Sequence, residues 1–310
     1  TQVTVTGTSF IGVTEVLIDT SFCLFTVNST TELILTVPAT ATTGRIKVIS
    51  SIGTTESATD FVPVNVPDVT NFSPASGPVG TTVILTGTGF CTTTSVDFNG
   101  ITTSFTVDSD VQITTVVPYG ATTGPITVVN TVGTFTTASD YTVTPDILSF
   151  TPASGYVGDN VTITGTNFLT VGTVEFNGVS ATFTVDSYSQ ITATVPVTAT
   201  TGLITVTSPT EGTDASSTAY IVHPKIDSFT QTTGIVGDAV TINGSGLNNA
   251  SSVTFNGTSA GFTVVSESQV DAIVPFGALT GSIEITTPYG TATSSSYFNV
   301  EPNITGFTPV

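Results

Sequence analysis

The chain contains no methionine and no tryptophan, and in 310 residues it has three Lys/Arg side chains, one histidine and two cysteines. Each shortage closes a class of function. Three basic residues stand against 22 acidic ones, a formal charge of −19. A nucleic-acid binder must neutralise phosphates with clustered Lys and Arg, and none lies between Lys47 and Lys225. Attraction to an anionic bilayer surface fails for the same reason. No apolar run approaches the ~18 residues of a spanning helix, so direct membrane insertion is not expected. Negative charge reads instead as a means of keeping Thr-rich β-modules soluble. Zinc needs several Cys or His ligands, and His223 stands alone. Cys23 and Cys91 occupy non-equivalent positions, so no disulfide framework is expected. Cys23 reads as a small buried apolar residue and Cys91 as a free loop thiol. The missing methionine and a repeat cut at each end suggest a segment of something longer, with targeting or anchoring elsewhere.

Repetition is what the chain has in abundance. "FSPASGPVGTTVILTGTGF" begins at Phe72, "FTPASGYVGDNVTITGTNF" at Phe150 and the looser "FTQTTGIVGDAVTINGSGL" at Phe229. Pro67, Pro145, Pro224 and Pro302 are 78, 79 and 78 residues apart. Gly87, Gly165 and Gly244 keep the same beat, as do Phe98, Phe176 and Phe255 in "FNG". A fixed period of this kind sets the fold before any single element does. It divides the chain into a partial module at 1–66 lacking its first strand, whole modules at 67–144, 145–223 and 224–301, and the first strand of a further module at 302–310.

Within 145–223, "DILSFT", "VTIT", "VEF", "ATFTV", "QITATV", "LITVT" and "STAYIV" alternate apolar residues with Thr or Ser. That is the period of half-buried strands. Seven short strands without helical periodicity predict an antiparallel β-sandwich. Asn99-Gly100, Asn177-Gly178 and Asn256-Gly257 lie between apolar runs and predict type I′ hairpin turns. The expected core is Phe150, Val161, Ile163, Phe168, Val174, Phe176, Ala181, Phe183, Val185, Ile191, Ala193, Val195, Ile204, Val206 and Tyr220. A pair spaced by three, Ile147/Phe150, breaks the alternation and predicts a bulge, with Phe150 facing its own core and Ile147 turned toward the preceding module. Val69/Phe72, Ile226/Phe229 and Ile304/Phe307 repeat it. "YTVTPDILSF" leaves few residues between modules, and the proline stiffens the step. The expectation is an elongated rod of tandem modules.

No residue carries enough context for catalysis. His223 sits at a junction without a nucleophile or orienting acid and reads as a solvated linker residue. The acids, among them Asp108, Asp110, Asp186 and Glu267, read as solvated turn-formers. Ca²⁺ is the second reading for the junction acids Asp68 and Asp146 and the turn acids Asp159 and Asp238, although no loop has the dense oxygen-ligand pattern. Tyr119, Tyr156, Tyr188 and Tyr289 are candidate exposed aromatics for sugar binding, but they share no column. No catalytic, cofactor or metal residue is assigned, and the chain is not expected to be an enzyme.

The ordered motifs "PASGYVGDNVTITGTNF", "VEFNG", "QITATVP" and "TGLITV" resemble the IPT/TIG family. These immunoglobulin-like modules occur in cell-surface receptors, some transcription factors and many bacterial surface proteins. Gln231 in place of the proline at 74 and 152, and "IDT" (18–20) in place of "FNG", depart from the pattern without disturbing it. The resemblance implies tandem immunoglobulin-like β-sandwiches, with motif residues that are structural and no active site to carry over. DNA-binding relatives use basic loops, which this chain lacks. Tandem arrays look like the stalks of large secreted bacterial adhesins or surface fibres, reaching a cell-surface target through domains outside this segment. The alternative is an accessory carbohydrate-binding or spacer role beside a secreted polysaccharide-acting enzyme. A homo-oligomer or fibre could form if "ITGFTP" completed the first module of another copy.

Overall fold

A computed structural model describes residues 2–38, 40–304, 306 and 308, and every regular element among them is a β-strand. The chain divides into two compact units, Thr1–Thr142 and Val143–Val310.

In the second unit, residues 145–223 form two facing sheets. One has Asp146–Thr151, Asn160–Thr166, Gln190–Thr194 and Thr182–Ser187 in that spatial order, all antiparallel. The other has Ser154–Gly155, Gly212–Val222, Gly202–Ser208, Thr173–Phe176 and Val179–Ser180. Only the Ser154–Gly155 contact with Gly212–Val222 is parallel. The two-residue strands Ser154–Gly155 and Val179–Ser180 escape sequence reading because they are too short for alternation to show. Residues 224–301 and residues 67–144, the latter in the first unit up to Thr142, have the same strand order. Residues 2–61 have one strand fewer in each sheet. Gln2–Thr6, Glu32–Thr36 and Leu24–Val27 form one, and Ser21–Phe22, Val13–Ile18, Gly44–Ser50 and Gly53–Phe61 the other.

Each of the three whole sandwiches is locked by one aromatic pair. Phe98 meets Tyr141 edge-on at 5.2 Å, Phe176 meets Tyr220 at 5.3 Å and Phe255 meets Phe298 at 5.2 Å. All six rings are fully buried. Edge-to-face geometry sets the positive rim of one ring against the negative face of the other. The core of 145–223 differs from expectation at its margins. Phe150, Ala181, Phe183 and Val185 are only half-buried, because Asp146–Thr151 and Thr182–Ser187 are the outer strands of their sheet. Ile147, Val171, Ala199 and Val222 are buried instead.

The spacing of three is a bulge, with a shift of register between Ile147 and Ser149 and again between Ile226 and Ser228. The extra residue, Leu148 or Asp227, brings residues i and i+3 to one face. Ile147 therefore joins the same core as Phe150, and Ile226 the same core as Phe229. This corrects the expected outward turn of the isoleucine. The bulge also explains the repeated glycines. A Cβ on Gly165 would overlap the Asp146 carbonyl oxygen, and on Gly87 and Gly244 those of Asp68 and Lys225. At Gly7, where the first strand is missing, a Cβ would meet only the Phe10 ring.

The Asn-Gly pairs have φ of 46° and 86°, 48° and 81°, and 46° and 81°, as a type I′ turn requires. Each Asn side chain reaches out of its own turn to the loop before the next long strand. Asn177 Nδ2 donates to Thr200 Oγ1 at 2.6 Å and Asn256 Nδ2 to the Thr280 carbonyl at 3.2 Å. In the first repeat Asp19 takes this position, with φ 53°, and accepts a bond from Thr42 Oγ1 at 3.0 Å. At the other terminus the expected strand is not formed by Pro302, Asn303, Ile304, Gly306 or Thr308. An outer strand needs a ladder partner, and the partner strand in the other repeats lies further along the sequence. Thr305, Phe307, Pro309 and Val310 lie outside the described residues, and with them the Ile304/Phe307 pair.

Glu267 departs from the solvated turn acid expected of it. It is half-buried, its Oε1 has no partner, and burial pushes its carboxyl up to about 7. The folded state thus holds a proton that the unfolded chain releases. The associated stability is present below the ordinary glutamate range and is lost as pH rises through about 7.

Two outcomes are expected in unfolding experiments. Phe176→Ala should cost ~3–5 kcal/mol in urea denaturation and Phe183→Ala clearly less; equal losses would contradict the burial difference. Between about pH 4.5 and pH 8, the melting temperature of the parent chain should fall, and Glu267→Gln should flatten that fall. Parallel curves would show that the Glu267 carboxyl is not desolvated.

Candidate functional site

The junctions between repeats gather the side chains that the cores leave over. At each one the incoming backbone runs past a corner residue held at positive φ: Gly89 at 76°, Asn167 at 58° and Gly246 at 65°. The corner admits the passing backbone closely. A Cβ on Gly89 would lie 2.9 Å from the Val66 carbonyl oxygen, and one on Gly246 would lie 3.0 Å from that of His223. Asn167 turns the same proximity into a bond, with Nδ2 donating to the Val143 carbonyl at 2.5 Å. Asn is the non-glycine residue that tolerates this conformation best, which is why it substitutes here.

A hairpin tip closes over the linker from the other side, with a different chemistry each time. In the first unit, Asn130 Nδ2 donates to the carbonyls of Asn65 at 2.5 Å and Gly89 at 2.9 Å. In 145–223 the tip carries buried Glu211, which accepts bonds from Asn167 Nδ2 at 2.9 Å and from Thr170 Oγ1. This tip, 208–212, is one residue longer than 130–133 and 287–290, and that residue accounts for the single period of 79. In 224–301 the Tyr289 carbonyl accepts from His223 Nδ1 at 2.7 Å. Sequence reading missed Glu211 because its position has no equivalent in the other repeats. The longer period was the one available signal.

His223 is not the solvated linker residue expected. Its backbone N–H donates to the Gly155 carbonyl at 2.8 Å, within 145–223. Its ring lies 5.6 Å from that of Tyr156. Its Nδ1 and its own carbonyl face 224–301, so one residue is held on both sides. Two residues, His223 and Pro224, separate strand Gly212–Val222 from strand Lys225–Phe229. In the first unit the linker is longer, with strand Gly53–Phe61 and strand Asp68–Ser73 separated by residues 62–67. A crevice of about 600 Å³ there is lined by Val62, Asn65, Cys91, Asp110 and others.

Beside His223 lies a second crevice, of about 430 Å³, lined by Tyr156, Val157, Asp159, Pro224, Lys225, Ile226, Thr291, Ala292 and Thr293. Lys225 Nζ pairs with Asp227 Oδ1 at 2.7 Å, and that contact raises the lysine pKa. Behind Asp159, the buried Tyr220 hydroxyl has no partner and is pushed up to about 12 by burial and by the Asp159 charge.

The other candidate residues serve mainly their own loops. Asp159 Oδ2 and Asp238 Oδ2 accept the N–H of Tyr156 at 2.7 Å and of Ile235 at 2.9 Å, so both shape their own turns. Asp108 accepts from Thr114 Oγ1 at 2.7 Å and Asp186 from Thr192 Oγ1 at 2.7 Å, bonds that hold both carboxyls low. Asp110 Oδ1 instead accepts the Cys91 N–H at 3.2 Å. Asp146 is held up by burial and by the charge of Asp214. Asp68 and Glu284 take no part in a cluster: among the described residues no group of three or more His, Cys, Asp and Glu is placed to hold a metal ion. Cys23 is buried; Cys91 is exposed, its thiol raised by desolvation and then by Asp110. Tyr119 and Tyr156 are exposed, whereas Tyr188 and Tyr289 are half-buried. Phe276, 92% exposed, is a further aromatic at the surface. No helix among the described residues is long and apolar enough to cross a membrane.

No curated protein shows significant similarity to the chain. Among solved structures it is similar to a surface glycan-binding protein from Prevotella bryantii, at 15% identity and TM-score 0.35, covering 50% of this chain and 42% of that one. It is similar to SGBP-B from a complex xyloglucan utilization locus in Bacteroides uniformis, at 22% identity and TM-score 0.26, covering 50% and 49%. It is also similar to the plexin A4 full extracellular region, at 13% identity and TM-score 0.26, covering 94% and 45%. The chain thus spans about half the length of these structures, and overlap this low carries no argument about what it binds. The family model for the IPT/TIG domain matches residues 67–144, 145–221 and 224–301. With most of its length matched in three consecutive copies, the chain belongs to the IPT/TIG domain family.

Proposed function

We propose that the chain is a spacer segment of an extracellular or cell-surface protein, whose repeats are joined stiffly enough to hold attached domains at a set distance. The observation that carries this reading is the double anchoring of His223. Its N–H is bonded to Gly155 on one side and its Nδ1 to the Tyr289 carbonyl on the other. A flexible tether would leave several residues unbonded and rich in Gly or Ser. Here Pro224 is buried and strand Lys225–Phe229 begins at the next residue. Charge supports the location. Nucleic-acid binding draws on basic surface, and a net −19 gives none. Acidic, Thr-rich faces suit a protein that stands in bulk solvent without adhering to its neighbours.

Amide ¹⁵N relaxation on the whole chain tests the reading. Residues 145–223 and 224–301 should report one common rotational tensor. Inserting Gly-Gly between His223 and Pro224 should split it in two while leaving each repeat folded. Independent tumbling in the parent chain would reject the spacer.

A further inference from the structure

Past Lys47, the chain has two basic side chains, His223 and Lys225; Lys225 lines the crevice between 145–223 and 224–301, and His223 lies next to it in sequence, its ring 5.6 Å from that of the lining residue Tyr156. The same crevice holds Tyr156, 46% exposed, and Asp159. Solubility does not call for this concentration, and the repeat does not produce it. The columns of Tyr156, His223 and Lys225 hold Pro78, Thr144 and Asp146 one repeat earlier, whereas Asp159 recurs as Asp238 one repeat later. Anchoring explains His223 but not the exposed Tyr156 ring beside it; of the other lining groups, Asp159 Oδ2 accepts the Tyr156 N–H, Thr291 Oγ1 meets Thr286 Oγ1 and Thr293 Oγ1 donates to Glu284, and each keeps further hydrogen-bonding capacity.

We infer that this crevice is a binding site for a neutral oligosaccharide. A pyranose presents apolar C–H faces and a rim of hydroxyls. The exposed Tyr156 ring, backed by Val157 and Ile226, offers a platform for such a face. Asp159 as acceptor, Lys225 as donor and the two threonines as either can meet the rim. The volume, about 430 Å³, falls in the range of small-ligand sites, roughly 300–1,000 Å³. Charge selects against acidic glycans, because Asp159 and Asp227 flank the one lysine in a strongly negative chain. The inference does not depend on the spacer reading, since a stiff junction is needed for neither the ring nor the rim.

The test is titration of the whole ¹⁵N-labelled chain with cellohexaose, xylohexaose and mannohexaose, and with oligogalacturonate as the acidic comparison. At least one neutral hexasaccharide should shift amides of 156–159, 225–226 and 291–293 together. Tyr156→Ala should weaken that binding about tenfold, and Lys225→Ala should weaken it too, with the spectrum otherwise unchanged. Tyr119→Ala, in the other unit, should not. Absence of binding across the neutral panel would overturn the inference. So would preference for the oligogalacturonate, shifts centred on Phe276, or indifference to Tyr156→Ala. None of those results bears on the common tumbling that tests the spacer.

Discussion

Gly87, Gly165 and Gly244 have no room for a side chain, because the carbonyl oxygen of the residue after each junction proline already fills the space. That close approach governs how each repeat begins. It fixes where the first strand crosses the second, and the register shift beside it turns two residues spaced by three onto one face. The buried isoleucine or valine then ties the strand to its core within two residues of the proline. The strand is thus fixed to its own repeat from its second residue onward. In the first repeat, Gly7 faces the Phe10 ring instead of a carbonyl.

Much of this was legible in the residues. Alternation gave the long strands, and Asn-Gly gave the turns with the φ angles they require. The spacing of Ile147 and Phe150 announced a bulge. Its direction was not legible, since a shift of one residue can turn a side chain to either face, and only the partner strand decides. Half-burial of Phe183 was hidden for a similar reason. Period reports which face a side chain takes, not whether another strand lies beyond it. Ser154–Gly155 carries no pattern at all, and its parallel contact depends on where Gly212–Val222 ends.

The junctions were the least legible part, because they are where the repeats differ. A repeat reading weighs what recurs. The linker clamp does recur, but as a geometry filled by Asn130, by Glu211 or by His223 with the Tyr289 carbonyl. No column alignment lines these up. What is shared is the physical requirement that polar groups enclosed where a hairpin tip meets a linker find partners. Asn130 bonds the linker carbonyl of Asn65, Glu211 bonds Asn167 and Thr170, and His223 bonds the tip carbonyl of Tyr289, so none of them signals a site merely by being polar and partly buried.

That requirement also separates structural chemistry from available chemistry. Asp108, Asp186 and Asp238 are held by threonine hydroxyls or backbone N–H groups at short range, and each does in its loop what a turn needs. Among the described residues, the Tyr156 ring makes no such bond to its own loop, its one ring contact being with His223 at 5.6 Å. It is exposed where the equivalent positions carry Pro78 and Ile235, beside the one place where a −19 chain has gathered a lysine and a histidine. A repeat array diversifies cheaply at its junctions, since a change there leaves both cores intact. A side chain that departs from its column and faces a crevice is therefore where recognition can be added to a repeat without disturbing either core.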